Sequence, residues 1–384
     1  MFVYLDNSAT TKPYDEVVKE MSEVMSSNFG NPSSLHKMGF QAEKKVKESR
    51  LMIAEALGAD PGEVYFTGSG TEGDNIAILG GARALKRKGK KIITSAVEHP
   101  AVLETFKALE QEGFKAVYLD TDSYGTVNTD QLKSELDDET VLVSLMHVNN
   151  ELGTIQPVEE AGRLVKSLEK TLFHVDGVQS FGKLKMKPVV TAADMVSVSA
   201  HKIHGPKGMG ALYIKKGVNI KSPVTGGGQE KNIRSGTENV PGIAGFGKAA
   251  ELAYRDFDKN IENMKSVRKY LLEGIKSEID DIKINSFEDD RCAASVLNVS
   301  FLGVRGEVLL HMLEQKDIFV STGSACSSNK KGQSHVLKAA GLTDEEIEGA
   351  VRFSFSRFNT VEEMDYVIAN LKKSVKDIRR VIRR

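Results

Sequence analysis

From about residue 60 to residue 215 the chain alternates between two hydrophobic periods. Short apolar or alternating runs read as strands: Val64–Phe66, Lys91–Ser95, Lys115–Leu119, Val141–His147, Leu172–Asp176, Met195–Ser199 and Gly210–Ile214. Between them, Asp74–Lys88, Ala101–Gln111 and Glu159–Lys170 carry apolar residues at helical spacing. This alternation predicts an α/β fold: a seven-stranded, mostly parallel sheet with helices on both faces. Ligands in such sheets bind beyond the carboxyl ends of the strands, so polar residues there are the first candidates for chemistry.

Near Tyr254–Asp258 the pattern changes. A helical stretch from Val240 to about Lys276 leads into a region of mixed strands (Val296–Phe301, Ile318–Ser321, Val351–Phe355) and helices (Glu307–Leu313, Val361–Arg380). It predicts a smaller α+β domain. The expected division is a large domain over residues 14–255 and a small one built from residues 1–13 and 256–384.

Composition narrows the function classes. With 40% hydrophobic and 27% charged residues, the 384-residue chain can bury a sizeable core. Its formal net charge of −1 gives no electrostatic reason to expect nucleic acid. No apolar run reaches the roughly 18 residues a membrane span needs. The start, MFVYLDNSATTKPYDE, has neither the basic nor the apolar stretch of a secretory signal. Two cysteines, Cys292 and Cys326, suggest no disulfide framework, so a reducing, cytoplasmic setting is expected. The basic end, LKKSVKDIRRVIRR, reads as a solvated helix face, or else as a dock for an acidic protein.

The strand Met195–Ser199 runs straight into Ala200-His201-Lys202 and a Gly/Pro turn. A lysine at the tip of a buried strand must pair, neutralise, react or snorkel to the surface. Beside hydroxyl and imidazole groups, a neutral lysine suits a Schiff base with an aldehyde cofactor. Gly68-Ser69-Gly70-Thr71-Glu72-Gly73 fits a dinucleotide fingerprint, G-x-G-x-x-G, but follows a short strand some 60 residues into the chain. The nearest strand-end acid, Glu98, is followed by His99-Pro100. A glycine turn opening a helix also serves a single phosphate, through free N–H groups and the helix dipole, with the Thr71 hydroxyl added. A plain tight turn would read the same. Asp176 ends another strand, with Gln179 expected one helical turn on. A carboxylate there can keep a pyridinium nitrogen protonated, although a helix-capping Asp carries the same signature. His99 and Asn150 also follow strand ends.

Several stretches together resemble one family. They are YLDNSATTKP (4–13), NFGNPSSLH (28–36), TGSGTEGDN (67–75), EHP (98–100), NNELGTIQP (149–157), HVDGVQSFGK (174–183), SAHKIHGPKGMGALY (199–213), RSGTEN (234–239) and GSAC (323–326). In order and number they are similar to the pyridoxal-phosphate-dependent cysteine desulfurases, in the branch that supplies sulfur for iron–sulfur clusters. The resemblance implies the type I fold of pyridoxal phosphate enzymes, aspartate-aminotransferase-like, with pyridoxal 5'-phosphate as cofactor and L-cysteine as substrate. It implies that Lys202 is the Schiff-base lysine, which also moves the α-proton. Asp176 and Gln179 would meet the ring nitrogen and hydroxyl, and His99 would stack on the ring and donate a proton. Gly70, Thr71, Ser199 and His201 would hold the phosphate, with Thr237 reaching in from the second subunit of a homodimer. Arg352 and Asn150, and less directly Asn31, would hold the substrate. The family's usual partner is an iron–sulfur scaffold or other sulfur acceptor. No metal ligand set is implied.

The segment 321–334 is polar and nearly free of large apolar residues, so it should be an exposed loop. A free cysteine is normally buried, which makes Cys326 unusual there. Lys330 and Lys331 favour its thiolate. Cys292, entering a predicted strand, reads as a structural thiol. An aminotransferase of the same fold would use Lys202, Asp176 and Arg352 alike but would need no such cysteine. A selenocysteine lyase would differ only in the chalcogen it removes.

Overall fold

The structure, a computed structural model, describes residues 1–185, 187–322 and 333–382. Its strands in chain order are β1 (Val3–Tyr4), β2 (Val64–Thr67), β3 (Lys91–Ser95), β4 (Lys115–Leu119), β5 (Thr140–Met146), β6 (Leu172–Asp176), β7 (Met195–Ser199), β8 (Gly210–Ile214), β9 (Ile282–Ile284), β10 (Val296–Phe301), β11 (Ile318–Phe319) and β12 (Ala350–Ser354). The seven strands expected for the large sheet appear within one residue of their predicted limits. They pair in the order β2-β8-β7-β6-β5-β3-β4. All neighbours are parallel except that β8 runs antiparallel to both β2 and β7. Buried residues on both faces explain the nearly continuous apolar strands: every residue of β3, β5, β7 and β8 is buried.

The strand order reverses between β3 and β5. From β3 the chain steps outward to β4, then returns to the other side of β3 to build β5, β6 and β7 in turn. Loops leaving β3 and β5 therefore diverge and open a crevice at the carboxyl edge. The helix Gly70–Leu85 crosses this region closely. At Gly73 a Cβ would sit 3.1 Å from Ser197 Oγ, and at Gly70 one would lie 2.5 Å from Val178 Cγ2. Two of the motif's glycines thus let a helix N-terminus lie against strand ends.

A second sheet, β12-β10-β9, is antiparallel, and β1 pairs with β11 in a separate parallel pair. The core beside these strands contains Val3 and Leu5 together with Leu271, Phe301, Phe353, Val367 and Leu371. The first residues of the chain are thus packed with the last third of it. Where one helical stretch was expected from Val240, the structure has two helices, Val240–Arg255 and Phe257–Glu278, with Asp256 out of helical geometry between them. The break redirects the chain. The first helix is packed in the core of the large sheet and the second in the core of the small one.

The basic C-terminal helix, Val361–Ile382, is not simply solvated. Arg379 donates to the carbonyl oxygens of Asp280, Asp281 and Leu302 at 2.9–3.0 Å, fastening the helix to the turn around β9. No described helix is long and apolar enough to cross a membrane.

Candidate active site

At the carboxyl edge of the large sheet, a cavity of about 300 Å³ is lined by residues from seven separate segments. The N-terminal segment gives Ser8 and Ala9, the start of the helix Gly70–Leu85 gives Gly70 and Thr71, and β3 leads to His99. β5 leads to Asn150, β6 ends on Asp176 and leads to Gln179, β7 ends on Ser199 and leads to His201 and Lys202, and β12 contributes Arg352. Nine of the residues singled out from the sequence besides Lys202 therefore meet in one place. Two do not line it. Thr237 is exposed on the way into the helix Val240–Arg255, and Asn31 is exposed between the first two helices, its side chain accepting from Ser33 N–H. Cys326 and its neighbours at 323–332 lie outside the described residues.

Lys202 ends a single tight turn, Ala200–Lys202, that directly continues β7. Its Nζ donates to the carbonyl oxygens of Ser8 and Ala9 at 2.5 and 2.9 Å. Asp176 is buried, and one of its oxygens accepts the Val178 N–H at 2.9 Å. Burial pushes its carboxyl up to about 6, opposed by that hydrogen bond and by the Lys202 charge. A second buried carboxyl, Asp74, lies close enough to Asp176 for each to disfavour the other's charge. The segment after Asp176 is a turn, as the sequence suggested, and not the helix start that a capping Asp would have opened: Ser180 and Phe181 N–H both return to Gly177 O.

His99 caps the helix Pro100–Gln111 by accepting the Ala101 N–H at Nδ1, 3.1 Å away. That bond fixes the neutral tautomer, with its proton on Nε2. Burial first, then the Lys202 charge, lowers its pKa to about 4, so the ring is neutral at pH 7. His201 is lowered to about 4 by the same two causes, and its Nδ1 lies 3.2 Å from Thr10 Oγ1.

Arg352 comes from the middle of β12 in the small sheet, with its side chain only 4% exposed. Nη2 donates to Asp6 Oδ1 at 2.8 Å and Nη1 to the Asn150 carbonyl at 2.9 Å. Its buried Nε has no partner among the described residues, and neither have the buried hydroxyls Ser8 Oγ and Ser199 Oγ. Each belongs to a residue that lines the cavity. Polar groups left open in a buried site are costly, and a polar ligand with an anionic end would satisfy them. Among the described residues no group of three or more His, Cys, Asp or Glu side chains is placed to hold a metal ion.

Several participants were not singled out from the sequence. Ser8 and Ala9 act through carbonyls, and Asp6 through a partner nearly 350 residues away, so no local pattern could reveal them. Lys183 and Glu98 are buried ionisable groups in stretches quoted for the resemblance. The signal was their position near strand ends. Cys292 is buried, with burial raising its pKa, as fits a structural thiol.

A lysine on a strand tip, a buried carboxyl on the next strand and a glycine turn opening a helix define a site for a phosphorylated aldehyde cofactor. The chain matches the aminotransferase class-V family over residues 3–367. It is 45% identical over 379 residues to a cysteine desulfurase IscS of Clostridium botulinum strain Hall, covering 98% of this chain and 95% of that one. It is equally similar to the IscS of Methanosarcina thermophila, 45% identical over 377 residues and covering 98% and 93%. Among solved structures, a NifS-like protein superposes with a TM-score of 0.92 at 39% identity, covering 98% of this chain and all of that one. The apo cysteine desulfurase of Thermococcus onnurineus NA1 superposes with a TM-score of 0.88 at 26% identity, covering 98% and 95%. The chain belongs to the class-V aminotransferase family, whose cofactor is pyridoxal phosphate.

Proposed function

We infer that the protein is a cysteine desulfurase that turns L-cysteine into L-alanine and passes the sulfur on for iron–sulfur cluster assembly. The observation that carries this reading at the site is the meeting of Lys202, Asp176, His99 and Arg352 around one cavity, with open buried polar atoms on Ser199 and Arg352. Asp176 would hold the ring nitrogen of pyridoxal phosphate, Gln179 the ring hydroxyl, and Gly70, Thr71, Ser199 and His201 the phosphate. When bound, that cofactor supplies an electron sink for charge developing on the substrate α-carbon.

The chain's own groups divide the remaining work. Arg352 binds the substrate α-carboxylate through its uncommitted N–H groups, while Asp6 and the Asn150 carbonyl keep the guanidinium plane fixed. Lys202 Nζ, which donates to the Ser8 and Ala9 carbonyls, takes the α-proton. His99 Nε2–H, its tautomer set by Ala101, is the proton donor. The thiolate of Cys326 takes the substrate sulfur, so that L-cysteine and a protein thiol become L-alanine and a protein persulfide. Residues 14–255 would carry the cofactor and residues 1–13 with 256–384 the substrate clamp. A homodimer is supported by Phe29, Leu35 and Phe40, large apolar side chains that stay exposed near the start of the second helix. Thr237 of each copy would complete the other's phosphate site.

The test is to incubate the purified protein with L-cysteine, without reductant, and follow alanine and the mass of the peptide bearing Cys326. Alanine with a one-sulfur mass increase is expected, and Cys326→Ala should lose both. Alanine at an undiminished rate from that variant would overturn the thiol's role and favour a lyase. A bound yellow cofactor with no alanine would favour an aminotransferase.

A further inference from the structure

Among the described residues, Lys183 is the one buried cation beside the cavity to which the reaction above gives no task. It lies at the end of the turn that follows Asp176, is 8% exposed, and its Nζ donates to Gln179 Oε1 at 3.1 Å. The other end of the same amide, Gln179 Nε2, donates to the Ser8 carbonyl at 3.0 Å. An ammonium group only donates, so the atom facing it is the amide oxygen; a carbonyl only accepts, so the atom facing it is the amide nitrogen. Two independent partners thus impose one orientation on a side chain whose two ends are otherwise alike. Gln179 is left with a single uncommitted N–H.

We propose that Lys183 is a positioning residue for the cofactor site: it locks the Gln179 amide so that its free N–H, and not its oxygen, is presented to the cofactor's ring hydroxyl. This rests on the assignment of Gln179 to that hydroxyl. Lys183 itself does not line the main cavity. It shares with Lys202 the wall of a smaller one, about 30 Å³, behind the lysine. The charges that act on it are those of Lys202 and Arg352, and with burial they lower it to about 7. In either protonation state its N–H groups can serve Gln179.

A donated N–H at the ring hydroxyl favours the less protonated form of the cofactor–lysine group, and so does a nearby cation. Removing Lys183 should therefore raise the pH midpoint of the bound cofactor's absorption change. The experiment is that spectrophotometric titration on the holoenzyme for the parent, Lys183→Met, Gln179→Leu and the double variant. Loss of a charge-assisted hydrogen bond predicts an upward shift of about one pH unit and roughly tenfold weaker cofactor retention in Lys183→Met. In the Gln179→Leu background the same change should shift the midpoint clearly less, because only the through-space effect of the charge is left once the amide is gone.

An unchanged midpoint in Lys183→Met, or an equal shift in both backgrounds, would overturn the locking role. Should Lys183→Met not fold, Lys183→Leu carries the same test, since it removes both the N–H groups and the charge. A parent protein that binds no pyridoxal phosphate would instead overturn the reading on which the inference rests.

Discussion

The two sheets contribute to the cavity in opposite ways. The large sheet offers Asp176 and Ser199 at the ends of parallel strands, with Lys202 one tight turn further. Asp176 is paired on both sides, to Met146 and Ser197, and Ser199 on one, to Gly210, and their chemistry follows from being where strands stop. The small sheet offers Arg352 from mid-strand, opposite Asn298 and bridged to Ser321 on its other side. Its aim depends on Asp6 and Asn150, which belong to neither of its neighbouring strands. The first arrangement is rigid because one sheet builds it. The second is a junction between the chain's first residues, the small sheet and a loop of the large one. In the proposed function Lys202 works from the rigid part, and substrate capture falls to the junction.

The contrast breaks first at Lys202. Lys202→Ala removes the proton-moving group while leaving β7 intact. Alanine formation should fall by at least about 10²–10⁴-fold, the usual worth of a positioned acid or base. Reduction with borohydride should no longer attach the cofactor to the peptide containing residue 202. On the junction side, Arg352→Ala should lower kcat/KM for L-cysteine about 10–100-fold through the lost charge-assisted bonds. Asp6→Ala should cost less, mostly in KM, because the guanidinium remains but is no longer held. Equal losses from the two variants would mean that Arg352 serves the ion pair and not the substrate.

This division also governs what could be read from the chain. Strands β3, β4, β6, β7 and β8 were legible to the residue, because each is a short apolar or alternating run between helical periods. Lys202, Asp176 and His99 followed by asking what sits at their ends. Arg352 had no such rule. Inside Ala350–Ser354 it looks like a charge in a buried strand, and only the family resemblance gave it a role. Asp6, Ser8 and Ala9 were invisible for a different reason: each acts on a residue nearly 200 or more positions away. The break at Asp256 was missed because both flanking segments are helical and neither glycine nor proline marks the join.

A smaller effect belongs to the large sheet's site alone and depends on pH. In the folded, cofactor-free protein Asp176 sits at about 6, chiefly from burial. An unfolded aspartate titrates near 3.9, so the folded state alone keeps this proton between the two values. Its stability contribution therefore falls as pH rises from about 4 to about 6 and stays low above that. The histidines work the other way. His99, His201 and His204 are lowered to about 4 by burial and neighbouring charge, and His174 to about 3 by burial, against about 6.5 when unfolded. They cost stability as pH falls below that value. Asp176→Asn removes only the first effect. Above pH 6 the cofactor-free variant should be the more stable protein, by on the order of 2 kcal/mol. Near pH 4 the gap should close. Thermal melts at pH 4, 6 and 8 read this directly, and a variant less stable at pH 8 would place the buried carboxylate among the stabilising groups. The same variant should retain pyridoxal phosphate poorly.

The finest test uses the open hydroxyl at the end of β7. Ser199 Oγ is buried with no partner among the described residues, in a strand that is otherwise fully satisfied by its ladder. A buried hydroxyl without a hydrogen bond contributes nothing by being polar, and removing it loses no bond. Ser199→Ala should therefore leave the melting temperature of the cofactor-free protein unchanged or slightly raised. With pyridoxal phosphate the outcome reverses. A hydroxyl reserved for a phosphate oxygen should be worth about 0.5–1.5 kcal/mol, a roughly two- to tenfold weaker cofactor affinity in the variant. The two measurements together discriminate. A loss of stability without cofactor would mean that Ser199 is part of the strand's own structure, like the ladder residues before it. A loss only with cofactor would mean that the strand ends one residue early in structural terms, and that its last side chain belongs to the ligand.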